Sequence, residues 1–338
     1  MTNPIDALLA EKGVLLADGA TGTNLFAMGL PAGEAPEILL ETNPETITAL
    51  HQNFVDAGAD IILTNSFGGT RHRLKLHHAQ DRVFSLNKKA AEVARAVADK
   101  AGRKVIVAGS VGPTGELLEP LGALTYDAAV EAFAEQMEGL KAGGADVAWI
   151  ETMSAPDEIK AAAEAAIKVG MPYTYTGSFD TAGRTMMGLH PKDIHGVVDG
   201  LAQAPVAVGA NCGVGASDIL ASLLDMTEAR PEATVIVKGN CGIPEFRGSV
   251  IHYTGTPELM SDYVRLAVDG GAKIIGGCCG TSFEHLAAMR KALDGHKTAG
   301  ARPTVETIVE RIGPMRNKLA SQSGAGDGGG EGRRRRRG

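Results

Sequence analysis

Short apolar runs recur along the chain, and each follows a helix-like stretch that ends in small residues. Residues 57–60 (Ala-Gly-Ala-Asp) precede the run 61–63, residues 143–146 (Gly-Gly-Ala-Asp) precede 147–150, and residues 270–273 (Gly-Gly-Ala-Lys) precede 274–275. Glycine readily adopts the left-handed conformation that ends many helices. A continuously apolar run is typical of a strand that is buried on both faces. The pattern therefore predicts helix, turn and buried strand in repeated succession.

The same pattern predicts eight strands that alternate with helices. We place the strands at 14–17, 61–63, 105–108, 147–150, 173–176, 206–209, 234–237 and 274–275. The helices fall at 44–57, 82–100, 125–141, 156–169, 191–202, 216–229, 257–269 and 282–293, the first with Asn43 as its cap and Pro44 at its first position. Strict alternation implies parallel strands joined by right-handed crossovers. Eight such units in about 280 residues favour an α/β fold of the (β/α)8 (TIM) barrel type.

An open, doubly wound sheet is the alternative, but no G-x-G-x-x-G fingerprint follows any predicted strand. We therefore predict one barrel domain over residues 1–300 and a C-terminal extension with a helix at 301–319. Residues 320–338 form a low-complexity Gly/Arg-rich tail that is predicted to be disordered. Its arginine run at 333–337 is predicted to be solvated, and contact with an acidic partner is the alternative.

Composition and charge narrow the classes of function. The 338 residues carry a net charge of −7, and without the five arginines at 333–337 the totals of 33 basic and 40 acidic residues become 28 and 40. So acidic a body argues against a nucleic-acid surface, and an aromatic content of 4% leaves few stacking platforms for single strands.

The hydropathy pattern indicates a cytoplasmic protein. No run of 18 apolar residues is present, so no membrane span is expected. The start lacks a basic region followed by an apolar one, so no signal peptide is predicted. Four cysteines are too few for a disulfide scaffold and fit a reducing compartment, where clustered thiols indicate a metal site or catalysis.

All four cysteines come just after apolar runs. Cys212 and Cys241 follow predicted strands six and seven, and Cys278 and Cys279 follow strand eight. One such cysteine is as easily a small buried hydrophobe, but four at strand ends indicate a thiolate metal site. Three thiolates around Zn²⁺ leave a fourth position open, as in catalytic sites. Cys278 and Cys279 supply two of these thiolates. By position alone, either Cys212 or Cys241 can supply the third.

The thiolate ligands, together with the residues at the carboxyl ends of the other predicted strands, indicate what kind of substrate the site binds. An all-thiolate shell suits deprotonation of a substrate thiol better than activation of water. Two carboxylates, Asp18 and Glu151, are expected at the same mouth, because active sites of these barrels lie at the carboxyl ends of the strands. They can act as an acid/base pair or receive a substrate ammonium group, although Asp18 can also simply cap a helix. Glycines such as Gly19 can offer backbone N–H groups to a carboxylate, or form tight turns only.

Five motifs together resemble the homocysteine S-methyltransferase family over about residues 15–293. They are Asp-Gly-Ala-Thr-Gly-Thr at 18–23, Leu-Thr-Asn-Ser-Phe-Gly-Gly at 63–69, Gly-Pro-Thr-Gly-Glu at 112–116, Asn-Cys-Gly at 211–213 and Gly-Gly-Cys-Cys-Gly-Thr at 276–281. The family covers betaine–homocysteine methyltransferase, S-methylmethionine-dependent enzymes and the homocysteine module of cobalamin-dependent methionine synthase.

The resemblance implies a (β/α)8 barrel with zinc held by Cys212, Cys278 and Cys279. It also implies that homocysteine binds the metal through its sulfur. Its amino-acid end then lies near Asp18 and Glu151, and the family motifs add Gly19 and Thr64 to the substrate-binding set.

Within the family, the chain looks most similar to the methionine synthase module. Gly68 stands where the betaine enzymes carry a tyrosine, and Asn240 falls where the module supplies a fourth zinc ligand in the substrate-free state. Cys241 is not part of the family pattern. Since no folate, cobalamin or reactivation module is recognised, a methylcobalamin donor is expected on a separate protein.

The sequence therefore predicts a zinc-dependent enzyme that forms methionine from homocysteine. A betaine or S-methylmethionine donor is the alternative within the class, and a non-catalytic zinc- or thiol-binding barrel is the alternative outside it.

Overall fold

A computed structural model describes residues 3–31, 33–242, 244–247, 250–298 and 300–317. Its strands are β1 (Leu15–Leu16), β2 (Ile61–Leu63), β3 (Ile106–Val111), β4 (Val147–Met153), β5 (Tyr173–Gly177), β6 (Ala207–Cys212), β7 (Val235–Gly239), β8 (Pro244–Arg247), β9 (Val250–Tyr253) and β10 (Ile274–Gly277). Eight of them pair in the order β1-β10-β7-β6-β5-β4-β3-β2, all parallel. A parallel bridge between Ala17 and Ile61 closes the ring.

The predicted (β/α)8 barrel is therefore confirmed. Continuous burial along β2, β3, β5 and β7 explains why these strands appear as unbroken apolar runs. The additional strands β8 and β9 form an antiparallel hairpin after β7. Within the described residues, no helix is long and apolar enough to cross a membrane.

The α-helices are α1 (Pro4–Lys12), α2 (Thr21–Ala27), α3 (Leu39–Thr42), α4 (Pro44–Asp56), α5 (Arg71–Leu74), α6 (Val83–Ala98), α7 (Tyr126–Ala142), α8 (Pro156–Val169), α9 (Ala216–Ala229), α10 (Pro257–Asp269), α11 (Phe283–Gly295) and α12 (Val305–Ile312). Asn43 caps α4 as predicted, accepting from the Thr46 N–H. The α-helix predicted at 191–202 is wrong, because this stretch is a 3-10 helix at Pro191–Gly196 followed by turns. Glycines at 196 and 200 disfavour a helix, and Gly200 adopts a φ of 89°.

The first helix closes the amino end of the barrel. Asn3 caps α1, and its apolar residues Ile5 and Leu8 are buried with Leu15, Ile61 and other strand residues inside the barrel. Below them, the buried Asp60 carboxylate accepts from Lys12 at 2.5 Å and Arg290 at 3.1 Å. This end is therefore plugged, which leaves the carboxyl ends of the strands for chemistry.

The C-terminal extension packs on the barrel. Helix α12 lies against α9 and α10, and its Ile308 is fully buried. Arg311 pairs with Asp262 of α10 at 2.6 Å. The predicted helix within 301–319 is thus present at Val305–Ile312. The predictions for the Gly/Arg-rich tail and its arginine run fall outside the described residues.

Candidate active site

Three of the four cysteines converge at the carboxyl end of the barrel. Cys212 ends β6, and Cys278 and Cys279 follow β10. Their Sγ atoms all lie within 4.8 Å of one another, and the Sγ atoms of Cys212 and Cys279 are 3.9 Å apart. Zn–S bonds of about 2.3 Å in a tetrahedron place sulfurs about 3.8 Å apart. The spacing therefore fits three thiolate ligands of one zinc ion.

Cys241 does not join this group. Its side chain is buried, and a Cβ at Gly255 would come within 2.6 Å of its Sγ, so the thiol packs against that glycine. Burial also raises the pKa of Cys241 to about 12, which keeps it a neutral thiol. Of the two candidates for the third thiol, only Cys212 has its Sγ close to those of Cys278 and Cys279, and its role as a metal ligand stays a prediction.

Unusual backbone conformations bring the three thiols together. Cys212 has a φ of 60°, a left-handed conformation that few non-glycine residues adopt. Gly277 packs so tightly that a Cβ there would lie 2.3 Å from the side chain of Thr281. Gly280, with a φ of 80°, then turns the chain toward α11. These glycines allow two neighbouring cysteines to serve one site.

Their proximity makes the three thiols differ in pKa. Hydrogen bonds from Cys212 and then Cys278 lower the pKa of Cys279 to about 3, while hydrogen bonding to Cys278 and Cys279 raises the pKa of Cys212 far above its usual range. Of the three thiols, Cys279 is therefore the one whose pKa is shifted toward the thiolate form.

Two asparagines brace the loops that carry the three converging cysteines. Asn211 donates to the Thr152 hydroxyl at 2.8 Å and lies 3.9 Å from the sulfur of Cys278. Asn240 donates to the Gly213 carbonyl at 2.8 Å, and its Oδ1 accepts from the Cys279 N–H at 3.1 Å. Asn240 therefore ties the Cys212 loop to the Cys279 loop. Its role as a fourth zinc ligand stays a prediction.

Asp18 is paired with a lysine that the sequence analysis missed. Lys238 of β7 donates to Asp18 Oδ1 at 2.6 Å, and the other Asp18 oxygen accepts from the Leu63 N–H at 2.7 Å. Both side chains are at most 3% exposed. The ammonium group also lies 5.9 Å from the centre of the Trp149 ring. A lysine directly after the apolar run 234–237, where strand seven reaches the mouth of the barrel, was the signal available in the sequence.

Replacing Lys238 with Met is expected to lower the free energy of unfolding by about 3–5 kcal/mol, because it leaves the Asp18 charge buried without its partner. The measurement is urea unfolding of metal-free protein. Adding Asp18→Asn to the same chain should recover part of the loss, since the uncompensated charge is then gone. A loss below about 1 kcal/mol in the single variant would mean that the pair is unimportant for stability.

Glu151 is the second carboxylate at this end of the barrel. Its Oε1 accepts from the Ser110 hydroxyl at 2.5 Å, and the side chain is buried. Burial raises the pKa of Glu151 to about 7, although Lys238 and Ser110 act in the opposite direction. A buried carboxyl without a full counter-charge is suited to receive a cationic group.

Three of the four predicted substrate residues line one cavity of about 610 Å³. Its walls include Gly19, Thr64, Glu151, Lys238 and the three converging cysteines. The Thr64 hydroxyl accepts from the Ser110 N–H at 3.0 Å, which places it beside the Ser110–Glu151 pair. The structure thus brings Gly19, Thr64 and Glu151 together with the three converging cysteines. Asp18 does not line this cavity and is held behind it by Lys238, and Asn240 braces the neighbouring loops. Their roles in binding stay predictions.

Fold and site define the class of protein as a (β/α)8 barrel with three converging cysteines at its carboxyl end. A family model described as homocysteine S-methyltransferase matches residues 15–293. The chain therefore belongs to the homocysteine S-methyltransferase family, which confirms both the resemblance and the predicted enzyme class.

Individual relatives agree with this assignment. The chain is 30% identical over 328 residues to methionine synthase of Mycobacterium tuberculosis, covering 92% of this chain and 27% of that protein. Methionine synthase of Mycobacterium leprae is 29% identical over 329 residues, which cover 90% of this chain and 27% of that protein. The chain thus spans about a quarter of the length of these relatives.

A solved structure matches at full length. The metallated form of the homocysteine methyltransferase MmuM from Escherichia coli has a TM-score of 0.72 at 27% identity, with 86% of this chain and 99% of that chain covered. The oxidized form of the same protein has a TM-score of 0.73 at 26% identity, and the same shares of the two chains are covered.

Proposed function

We propose that the chain is a zinc-dependent homocysteine S-methyltransferase that forms methionine. The observation that carries the proposal is the convergence of three thiols at zinc spacing in the cavity that also holds Glu151. Cys212, Cys278 and Cys279 would hold the ion, and the metallated form of the MmuM relative supports a metal in this family. When bound, zinc supplies the Lewis acidity that keeps a substrate thiol deprotonated at neutral pH.

The residues near the three cysteines suggest where each polar group of homocysteine binds. Both oxygens of Asp18 are engaged by Lys238 and the Leu63 N–H, so we assign the substrate ammonium to Glu151. Gly19 and Thr64 line the same cavity, and we assign the substrate carboxylate to these two residues. The sulfur then points to the cysteines.

The chemical step is a displacement at carbon. The thiol loses its proton, the sulfur electron pair forms the new S–CH₃ bond, and the bond between methyl and donor breaks with its electrons leaving on the donor. No bond to the protein forms. The chain therefore contributes by orienting the sulfur and holding it as a thiolate while the donor approaches in line.

We further propose that the donor is a methylcorrinoid carried by a separate protein. Exposed apolar side chains lie on the loops and short helices that follow β1, β3 and β5, on the same end of the barrel as the cysteines; they include Phe26, Leu117, Leu121 and Met186. Large apolar side chains that are exposed on one end of a protein are a feature of protein contact surfaces. Such a rim suits a large donor better than a free metabolite.

A small onium donor, betaine or S-methylmethionine, is the second candidate. The outer part of the cavity contains Phe26, Phe67 and the buried Glu37. Aromatic faces and a carboxylate are groups that bind quaternary ammonium and sulfonium ions. The full-length match to MmuM also shows that a family member can consist of a barrel of this size.

A donor panel tests the proposal. Purified zinc-loaded protein is incubated with homocysteine and either betaine, S-methylmethionine, free methylcobalamin or methylcobalamin bound to a corrinoid protein, and methionine is measured. We expect product with the protein-bound corrinoid. Product with betaine or S-methylmethionine alone would establish the second candidate. Bound zinc and homocysteine without product from any donor would establish a non-catalytic thiol-binding barrel.

A further inference from the structure

A short C-terminal segment binds beside two neighbouring strand ends, β5 and β6, at the end of the barrel that carries the cysteines. Residues 313–317, named here the strap, follow α12. The Ser217 hydroxyl donates to the Gly313 carbonyl at 2.8 Å, and the Asn317 amide donates to the Phe179 carbonyl at 3.0 Å. The strap therefore spans from the start of α9 to the loop after β5.

Asp218 is the main anchor of the strap. Its Oδ2 accepts from the Arg316 N–H at 3.1 Å, and its Oδ1 accepts from the Asn317 N–H at 2.8 Å. The residue is buried, at 7% exposure. A buried carboxylate requires such partners, and here both come from backbone that lies nearly a hundred residues further along the chain.

The strap holds the far side of the loop that carries Cys212. Only residues 213–215 separate Cys212 from α9, whose first turn contains Ser217 and Asp218. Phe179, Cys212 and Asp218 line the same small hollow of about 10 Å³, so the strap's attachment points and the thiol pack closely together.

The loop needs support on two sides because its backbone is strained. The left-handed conformation of Cys212 persists only where neighbouring structure maintains it. Asn240 holds the loop from the barrel axis through the Gly213 carbonyl. On its other side the loop continues into α9, and the strap holds the start of that helix through Ser217 and Asp218.

We propose that the strap, anchored on Asp218, positions Cys212 for metal binding. Asp218 is a positioning residue, since it acts through the loop and the strap and does not itself face the metal. The inference rests on the proposed zinc function. Helix α12 has its own anchors in Ile308 and the Arg311–Asp262 pair, so the strap can be released without detaching the helix.

The test is Asp218→Ala in the full-length chain. We expect zinc affinity, measured by competition with a chromophoric chelator, to fall about tenfold, at the lower end of the effects seen when supporting residues of metal ligands are removed. Amide hydrogen exchange at residues 213–216 of metal-free protein should accelerate as well. Asp218→Asn retains one acceptor oxygen and should restore part of the affinity. Glu228→Ala, an exposed acidic residue on the same helix, is the matched control and should change neither measurement.

A pair of truncations provides the second test and removes any dependence on how Asp218→Ala folds. A chain ending at Asn317 keeps the strap, and a chain ending at Ile312 loses it. We expect only the shorter chain to show weak zinc binding and fast exchange at 213–216. Equal affinity and equal exchange in the two chains would overturn the proposal. If the unaltered protein binds no zinc, the proposed function fails, while the exchange measurement still decides whether the strap orders the loop.

Discussion

Replacing Cys279 with Ser is expected to abolish zinc binding and methionine formation together. Cys279 has the most acidic thiol of the three, because the neighbouring cysteines donate hydrogen bonds to its thiolate. A serine hydroxyl does not ionise at neutral pH and is a poor zinc ligand. We expect zinc content, measured by mass spectrometry after dialysis, to fall from about one ion per chain to less than about a tenth. Cys212→Ser and Cys278→Ser should behave in the same way.

Cys241→Ser is the matched control for these variants. Cys241 is also a cysteine that follows a barrel strand, but its thiol packs against Gly255 away from the other three. We expect this variant to keep its zinc and its activity. Full zinc retention in Cys278→Ser, or loss of zinc in Cys241→Ser, would show that the ligand set is wrong.

Replacing Glu151 with Gln is expected to weaken homocysteine binding while leaving zinc in place. The change keeps the shape of the side chain and removes its charge. A buried charge-assisted hydrogen bond to an ammonium group contributes roughly 2–3 kcal/mol, which corresponds to roughly a 30- to 150-fold increase in Kd. The measurement is calorimetric titration of the zinc-loaded protein with homocysteine, beside a zinc assay.

The pH dependence gives a second readout for Glu151. Since burial raises its pKa to about 7, the carboxyl becomes protonated as the pH falls below neutral and then no longer attracts an ammonium ion. Homocysteine binding by the unaltered protein should therefore weaken from pH 8 to pH 6 more steeply than binding by Glu151→Gln. Proton competition at the thiols affects both proteins alike, so the difference isolates the carboxyl.

Glu158→Gln is the control for the loss of a buried carboxylate. Glu158 accepts from the Thr114 N–H at 2.8 Å and the Thr114 hydroxyl at 2.7 Å, both through Oε1, and a glutamine oxygen can accept the same bonds. We expect this variant to bind homocysteine normally. If Glu151→Gln also binds normally, or loses its zinc, Glu151 supports the fold or the metal site and does not receive the substrate.

The sequence by itself determined the barrel and the end at which its chemistry lies. Strands buried between a barrel interior and a layer of helices are apolar on both faces, so runs such as 61–63 and 147–150 are visible without any tertiary information. The carboxyl ends of parallel strands meet at one face. Residues that follow these runs, among them Glu151 and Cys278, could therefore be assigned to a common site before their distances were known.

Local pattern was insufficient where the outcome depended on backbone detail. The stretch 191–202 has the apolar spacing of a helix, but its glycines at 196 and 200 allow a 3-10 turn and a chain reversal instead. The plugging helix α1 was not predicted, because its short apolar pattern has meaning only against the barrel floor.

Only the tertiary structure decided which side chains act as partners. In strand order β7 lies between β6 and β10, so adjacency alone would favour Cys241 as the third thiol. In the folded chain it is the Sγ of Cys212, a residue with left-handed backbone at the end of β6, that lies beside those of Cys278 and Cys279. Lys238 and Asp18 are 220 residues apart, and Asp218 and the strap are separated by nearly a hundred. A local pattern can mark one member of such a pair but not its partner, since the two groups meet only after the chain has folded.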